Sequence, residues 1–304
     1  MKSVKKLAPL FVIMGASLWG VDGIVLRPSL FTLPVALVVF MESSIVALLL
    51  TTLFIRRVGE LKKLSCNDWL AFIGVAIFGG AIGTMAITRA LFYVNYINLS
   101  IVVLIQKLQP VFAIIFAIIL LKEKPPPAFY SWAGLAILGA YLMTFGVDPP
   151  NFDTGDKTTI AAFFALIAAL SFAASTVFSK KALTNIDYRM GAYLRFSISA
   201  GIMLIVVIYT GDLNSISEIT DHQIFIFLII AFTSGGTAIF LYYYGLKEIS
   251  ASVATICELA FPITAVGLEY LLRGHLLNLY QWIGVSLLII SIAKVTQANG
   301  KESY

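Results

Sequence analysis

Apolar residues in this chain run in long blocks, without the alternation of a half-buried strand. Ten blocks stand out, at about 7–27, 33–55, 69–91, 98–121, 128–146, 160–180, 190–210, 223–246, 250–272 and 279–297. A hydrocarbon core about 30 Å thick is crossed by about 20 residues of helix, whereas spanning strands are shorter and alternate apolar with polar positions. The pattern predicts an all-α integral membrane protein with ten transmembrane helices. The longest interruption, GVDPPNFDTGDKTT at 146–159, is rich in helix breakers. It divides the spans five and five, giving a first unit at 1–147, an extracytoplasmic linker at 148–159 and a second unit at 160–304.

The two units repeat one another. FYVNYINLSIVVLIQKLQP at 92–110 slides onto YGLKEISASVATICELAFP at 244–262, placing Pro110 on Pro262 and Gln106 on Glu258. YSWAG at 130–134 matches YQWIG at 280–284, and 16–30 matches 169–183, with Trp19 on Phe172 and Arg27 on Lys180. An odd number of spans per unit predicts opposite orientations, the inverted repeat of secondary transporters.

Composition agrees: 60% of residues are hydrophobic and 12% charged, against about 45–50% and about 25% in soluble domains. The basic N-terminus is followed by a run long enough to span, without a clear small-x-small cleavage site, so it reads as the first helix and not as a signal peptide. With the N-terminus inside, the cytoplasmic side holds fifteen Lys and Arg residues, including Arg56, Arg57, Lys62 and Lys63. The outside holds three, Arg27, Lys157 and Arg273. Both termini are therefore expected in the cytoplasm, with the protein multi-pass in the cell membrane. The net charge of +5 is a topology signal and requires no nucleic-acid partner. Two cysteines, Cys66 and Cys257, and two histidines, His222 and His275, are too scattered for a disulfide framework or a metal site. No cofactor is expected.

ProValPheAla at 110–113 followed by LeuLeuLysGluLys at 120–124, with SerAlaSerValAla at 250–254 and PheProIleThrAla at 261–265 in the second copy, resembles the EamA-type branch of the drug/metabolite transporter superfamily. The resemblance covers about 8–297. It implies the ten-helix, five-plus-five plan. It leaves the substrate open, because one scaffold serves many metabolites. The chain departs from the pattern at His275, where the first copy has Glu123, and in having Glu42 where the second copy has Arg195.

Ionisable groups inside a span are costly, about 2.5–3.5 kcal/mol on insertion scales, and usually face a cavity or one another. Lys107, flanked by Gln106 and Gln109, and Glu258 each sit shortly before a proline, Pro110 or Pro262. A proline removes a helical hydrogen bond and kinks the helix. These residues are expected either to form a midplane binding pocket or to be a Lys–Glu pair that fixes packing. Glu42 and Arg195 are further candidates for substrate contact. Arg89, Glu269 and Asp22 are candidates for gating or a proton path. Among the aromatic residues Trp19, Tyr93, Tyr242, Tyr243 and Tyr244, Trp19 and Tyr243 are the expected cavity walls. The glycines at 79, 80, 83, 134, 139, 235 and 236 are expected to permit close helix packing.

No Walker A pattern is present, so the chain has no nucleotide motor of its own. The leading expectation is a secondary transporter, an exporter, of small polar metabolites, with amino acids first because the expected cavity carries both signs of charge. Aromatic or drug-like compounds come second, and a membrane-embedded lipid-modifying enzyme third. Expected partners are the substrate, the bilayer and protons as a candidate coupling ion, in a monomer or weak homodimer.

Overall fold

The computed structural model describes residues 2–92, 105–148, 157–274 and 277–301. Among the described residues nine helices are long and apolar enough to cross a membrane. They are α1 (Leu7–Leu30), α2 (Val35–Phe54), α3 (Cys66–Ile87), α5 (Pro127–Phe145), α6 (Thr159–Ala182), α7 (Tyr188–Thr210), α8 (Asp221–Glu248), α9 (Ala251–Leu272) and α10 (Leu279–Ala298). Gln109–Leu120 is a shorter apolar helix, α4, occupying the expected fourth span. The beginning of that span (98–104), most of the linker (149–156), Tyr93 and His275 lie outside the described residues. No strand occurs among the described residues.

The repeat extends to local details. The third helix of each half opens with a capping box, in which side chains satisfy backbone donors that have no helical acceptor. At α3, Ser65 Oγ accepts from Asp68 N at 3.3 Å and Asp68 Oδ2 accepts from Ser65 N at 2.8 Å. At α8, Thr220 Oγ1 accepts from Gln223 N at 3.3 Å and Gln223 Oε1 accepts from Thr220 N at 3.0 Å. Each of these helices then widens into a π-helical segment, Ala76–Ile82 in α3 and Ala231–Gly235 in α8. Such segments shift the hydrogen-bond ladder by one residue and are frequent at functional sites. A third π turn, Asp22–Leu26, lies in α1.

The halves interleave. Helix α1 packs on α8 and α9, and α6 packs on α3 and α4. Helix α2 packs on its counterpart α7, and α5 on its counterpart α10. Exchanging the two halves maps each of these contacts onto itself or onto another of them, so the contact pattern has the symmetry of the repeat. The α5–α10 pair meets at glycines: a Cβ on Gly139 would lie 2.8 Å from Leu288 N, and one on Gly284 would lie 2.7 Å from Gly139 O. Backbone contact of this kind is how membrane helices gain dispersion energy where lipid removes the hydrophobic drive. Gly134 has open space around it and plays no such part.

The family-like turn at 120–124 also has a physical role. Glu123 Oε1 accepts from Ala251 N at 2.7 Å, and its Oε2 accepts from Ser252 N at 3.0 Å and Ser252 Oγ at 2.6 Å. A carboxylate of the first half thus caps the N-terminus of α9 in the second half, where free N–H groups and the helix dipole favour negative charge.

Candidate functional site

Two helices are broken at matching places. α9 is helical to Cys257, turns at Glu258–Leu259 and resumes at Ala260. In the other half the chain is helical at 105–106, turns at Lys107–Leu108 and resumes at Gln109. Tighter three-residue bonds span both turns, Leu259 N to Ile256 O at 3.2 Å and Leu108 N to Ile105 O at 3.0 Å. Pro262 and Pro110 follow, each withholding a donor from the preceding turn. Pro110 and Pro262 thus stand where a kink was expected. The structural register differs by one residue from the sequence alignment: Lys107, not Gln106, is the counterpart of Glu258.

A polar cluster forms where the breaks meet. Glu258 Oε1 accepts from Tyr242 Oη at 2.6 Å and from Thr176 Oγ1 at 3.1 Å, and its Oε2 accepts from Gln109 Nε2 at 3.1 Å. Gln109 comes from α4, Thr176 from α6 and Tyr242 from α8, so both halves contribute. The Trp19 ring from α1 lies 5.2 Å from that of Tyr242, inclined at 52°. Its Nε1 donates to Ser234 O at 3.0 Å, a carbonyl within the π segment of α8. Indole, phenol, hydroxyl, amide and carboxylate groups therefore converge about 10 Å from the N-terminal end of α9, at 1.5 Å of rise per residue.

The remaining sequence candidates distribute unevenly. Lys107 is half-buried and forms no ion pair with Glu258; no salt bridge joins the two, because Gln109 takes the position beside the carboxylate. Gln106 turns away and donates to Ala165 O in α6 at 3.4 Å. Tyr243 is wholly buried, so in this conformation it does not wall a cavity. Its Oη is 3.1 Å from Ser179 Oγ and accepts from Arg195 Nη1 at 3.4 Å, with the guanidinium 5.8 Å from its ring. Arg195 thus engages Tyr243, and Glu42 does not face it. Instead Glu42 joins Asp22 around Arg27, at the end of α1 remote from the N-terminus. Arg27 Nη2 is 2.6 Å from Asp22 Oδ2 and 3.1 Å from Glu42 Oε1. Arg89 is exposed in the last turn of Gly83–Phe92, the helical segment that continues α3, and Glu269 is half-buried in the far part of α9.

Three participants were not among the residues the sequence picked out for the site. Tyr242 was one of three adjacent tyrosines, and only the phase of α8 distinguishes it from Tyr243. Thr176 is a small hydroxyl in an apolar run, indistinguishable from an internally bonded threonine. Arg27 lay at a span end, where snorkelling explains a cation equally well. A spacing signal did exist, since Asp22 and Arg27 are five residues apart, the hydrogen-bond spacing of a π turn.

The EamA-like transporter family matches this chain twice, over residues 6–145 and 159–297. Riboflavin transporter ImpX of Fusobacterium nucleatum is 44% identical, over 95% of this chain and 97% of its own. The uncharacterized transporter YwfM of Bacillus subtilis is 26% identical, over 96% and 95%. A solved crystal structure superposes with a TM-score of 0.73, covering 98% of this chain and 99% of its own, at 15% identity. That last likeness concerns the fold alone.

Proposed function

We propose that this chain, which belongs to the EamA-like transporter family, carries riboflavin or a closely similar flavin across the membrane by alternating access through the Glu258 cluster. The observation that carries the reading is the 44% identity, over nearly the full length of both chains, to a protein named a riboflavin transporter. The chemistry of the cluster supports it. A flavin presents a flat heteroaromatic face, an imide edge with one N–H between two carbonyls, and a hydroxylated side chain. Trp19 and Tyr242 offer aromatic surface for the first. Gln109, with a donor and an acceptor on one amide, matches the imide edge. Glu258 and Thr176 are placed to meet hydroxyls. Sites built to hydrogen-bond their substrate discriminate strongly against analogues that leave those groups unpaired.

The amino-acid expectation rested on opposed charges across one cavity. Two of those charges are now accounted for differently, Glu42 with Arg27 and Arg195 with Tyr243, so its support is weaker than that for a flavin. The inverted halves, 1–147 and 160–304 joined by 148–159, with both termini cytoplasmic, complete the reading. It rests there on the odd span count and the distribution of Lys and Arg.

Purified protein in liposomes should move riboflavin, followed by flavin fluorescence, and folded Glu258→Gln protein should move it more slowly. Loading either compartment reports direction, and an imposed pH gradient tests coupling to protons. Labelled amino acids crossing while riboflavin does not would replace the flavin reading with the amino-acid one.

A further inference from the structure

A second concave surface lies on the outside of the bundle. It is a groove of about 570 Å³ lined by Phe11, Leu53, Phe54, Tyr188, Arg189, Phe240, Leu241 and Tyr244, a size within the range of about 300–1,000 Å³ usual for small-ligand sites. Four helices build it: α1, the end of α2, the start of α7 and the last turns of α8. All these portions lie toward the membrane face that carries the N-terminus. The groove is not part of the Glu258 cluster. Successive residues of a helix are about 100° apart, so Tyr244 points about 200° away from Tyr242. Tyr244 and Phe240, four residues apart, share the outward face, and Leu53 beside them is 69% exposed.

The walls are ordered by ring contacts. Tyr244 stands edge-on to Phe11, with centroids 4.7 Å apart, and to Tyr188 at 5.0 Å. Arg189 closes the end nearest the membrane surface. Its Cζ lies 5.4 Å from the Tyr188 centroid and its Nε donates to Tyr188 Oη at 3.0 Å. Neither Nη atom has a hydrogen-bond partner among the described residues. Among the described residues the only acid in contact is Asp187, two positions earlier, whose Oδ1 accepts from Arg189 N at 3.0 Å as the helix cap. The phenol thus fixes one edge of the guanidinium and leaves the planar two-nitrogen fork free, the geometry that recognises phosphate oxygens. Apart from the two tyrosines, the rest of the groove's lining, Phe11, Leu53, Phe54, Phe240 and Leu241, is apolar.

We propose that this groove binds an anionic phospholipid, with the phosphate on Arg189 and an acyl chain along Phe11, Leu53 and Phe240. Charge complementarity decides the occupant. A zwitterionic lipid brings its own cation to the fork, and a second copy of the chain would bring the same cation. Basic pockets between membrane helices select anionic headgroups for this reason. The inference is independent of what the transporter carries.

The test uses the full chain, purified in mixed detergent–lipid micelles containing phosphatidylglycerol and phosphatidylcholine, with retained lipid measured by native mass spectrometry. Wild-type protein should retain phosphatidylglycerol over phosphatidylcholine by about fivefold, the ratio that one cationic side chain provides beside a charged headgroup. Arg189→Gln, an exposed change that leaves the fold intact, should bring the ratio near one. Arg57→Gln, outside the groove, should leave it unchanged. Leu241→Trp, which fills the groove, should reduce retention of both lipids. A wild-type ratio of one, or a ratio that Arg189→Gln does not alter, overturns the proposal. So does a Leu53→Cys disulfide between two chains that forms regardless of added phosphatidylglycerol, since it would show that a second copy occupies the face.

Discussion

Glu258 and Glu42 are both glutamates set inside membrane spans, and the protein treats them in opposite ways. Both oxygens of Glu258 accept hydrogen bonds from neutral donors on three other helices. Glu42 and Asp22 instead share one cation, Arg27, which reaches both oxygens of Glu42 and one of Asp22, and Asp22 Oδ1 stays buried without a hydrogen-bond partner among the described residues. The first arrangement spreads a carboxylate's demand over uncharged groups that a substrate can replace one at a time. The second concentrates it on one guanidinium whose loss leaves nothing in its place. A binding site must exchange partners at low cost, whereas a structural clamp needs only to hold. On the proposed reading, substrate contact falls to the α9 break and restraint of α1 against α2 to the Asp22–Arg27–Glu42 group.

Removing the shared cation should therefore have the largest effect. Arg27→Gln leaves two buried carboxylates facing each other, and breaking a buried ion pair from one side costs about 3–5 kcal/mol. The side chain is 31% exposed, which puts the expectation near the lower end. Thermal unfolding in detergent should show a clear fall in Tm, and adding Asp22→Asn should restore part of it. An unchanged Tm would mean that water or lipid already satisfies the carboxylates, and the contrast with Glu258 would collapse.

Glu258→Ala should give the opposite profile, a folded protein with impaired transport. It deprives Tyr242, Thr176 and Gln109 of a common acceptor, and hydrogen bonds to a charged group contribute about 1.5–3 kcal/mol each. Flux in liposomes is expected to fall at least about tenfold, and Glu258→Gln, which keeps one accepting oxygen, should fall less. If the alanine protein unfolds instead, Glu258 belongs with Glu42 as a structural charge.

The fold was legible in the sequence because span length and internal repetition are each sums over many residues. The ten runs needed no single residue to be judged correctly. The prolines also marked both helix breaks, because a missing donor acts on its own turn. What was not legible depends on rotation about a helix axis. Tyr242 and Tyr243 are neighbours in sequence, yet one bonds Glu258 and the other bonds Ser179. The π segments in α1, α3 and α8 reset that phase partway along the helix, so a wheel drawn from the ordinary period misplaces every residue after them. Glu42 was singled out as a costly charge and a candidate for substrate contact, but its partner was not legible, because Arg27 stands fifteen residues away on another span. That cation was brought within reach by the π turn at Asp22–Leu26.

The two tyrosines sharpen the comparison at finer scale. Tyr242→Phe removes one short hydrogen bond to Glu258 and should weaken apparent substrate affinity by roughly tenfold, at about 1.4 kcal/mol per factor of ten. Tyr243→Phe removes hydrogen bonds to Ser179 and Arg195 away from the cluster and should change Tm more than affinity. Reversal of that order in concentration-dependent flux would place the substrate against Arg195.

The smallest expected effect falls on Trp19. Trp19→Phe keeps an aromatic face against Tyr242 and deletes the bond from Nε1 to Ser234 O. Side-chain hydrogen bonds between membrane helices average about 0.6 kcal/mol, which is roughly a threefold change in an equilibrium. That bond joins α1 to the π segment of α8, so its loss should appear in the balance between conformations. Accessibility of a cysteine at Gly23 to a water-soluble thiol reagent can read that balance, with both native cysteines replaced by serine. Flavin affinity should stay nearly constant while labelling changes about threefold. An affinity loss equal to that of Trp19→Ala would instead make the indole N–H a direct substrate donor. The Glu258 cluster would then extend to the π segment as one site.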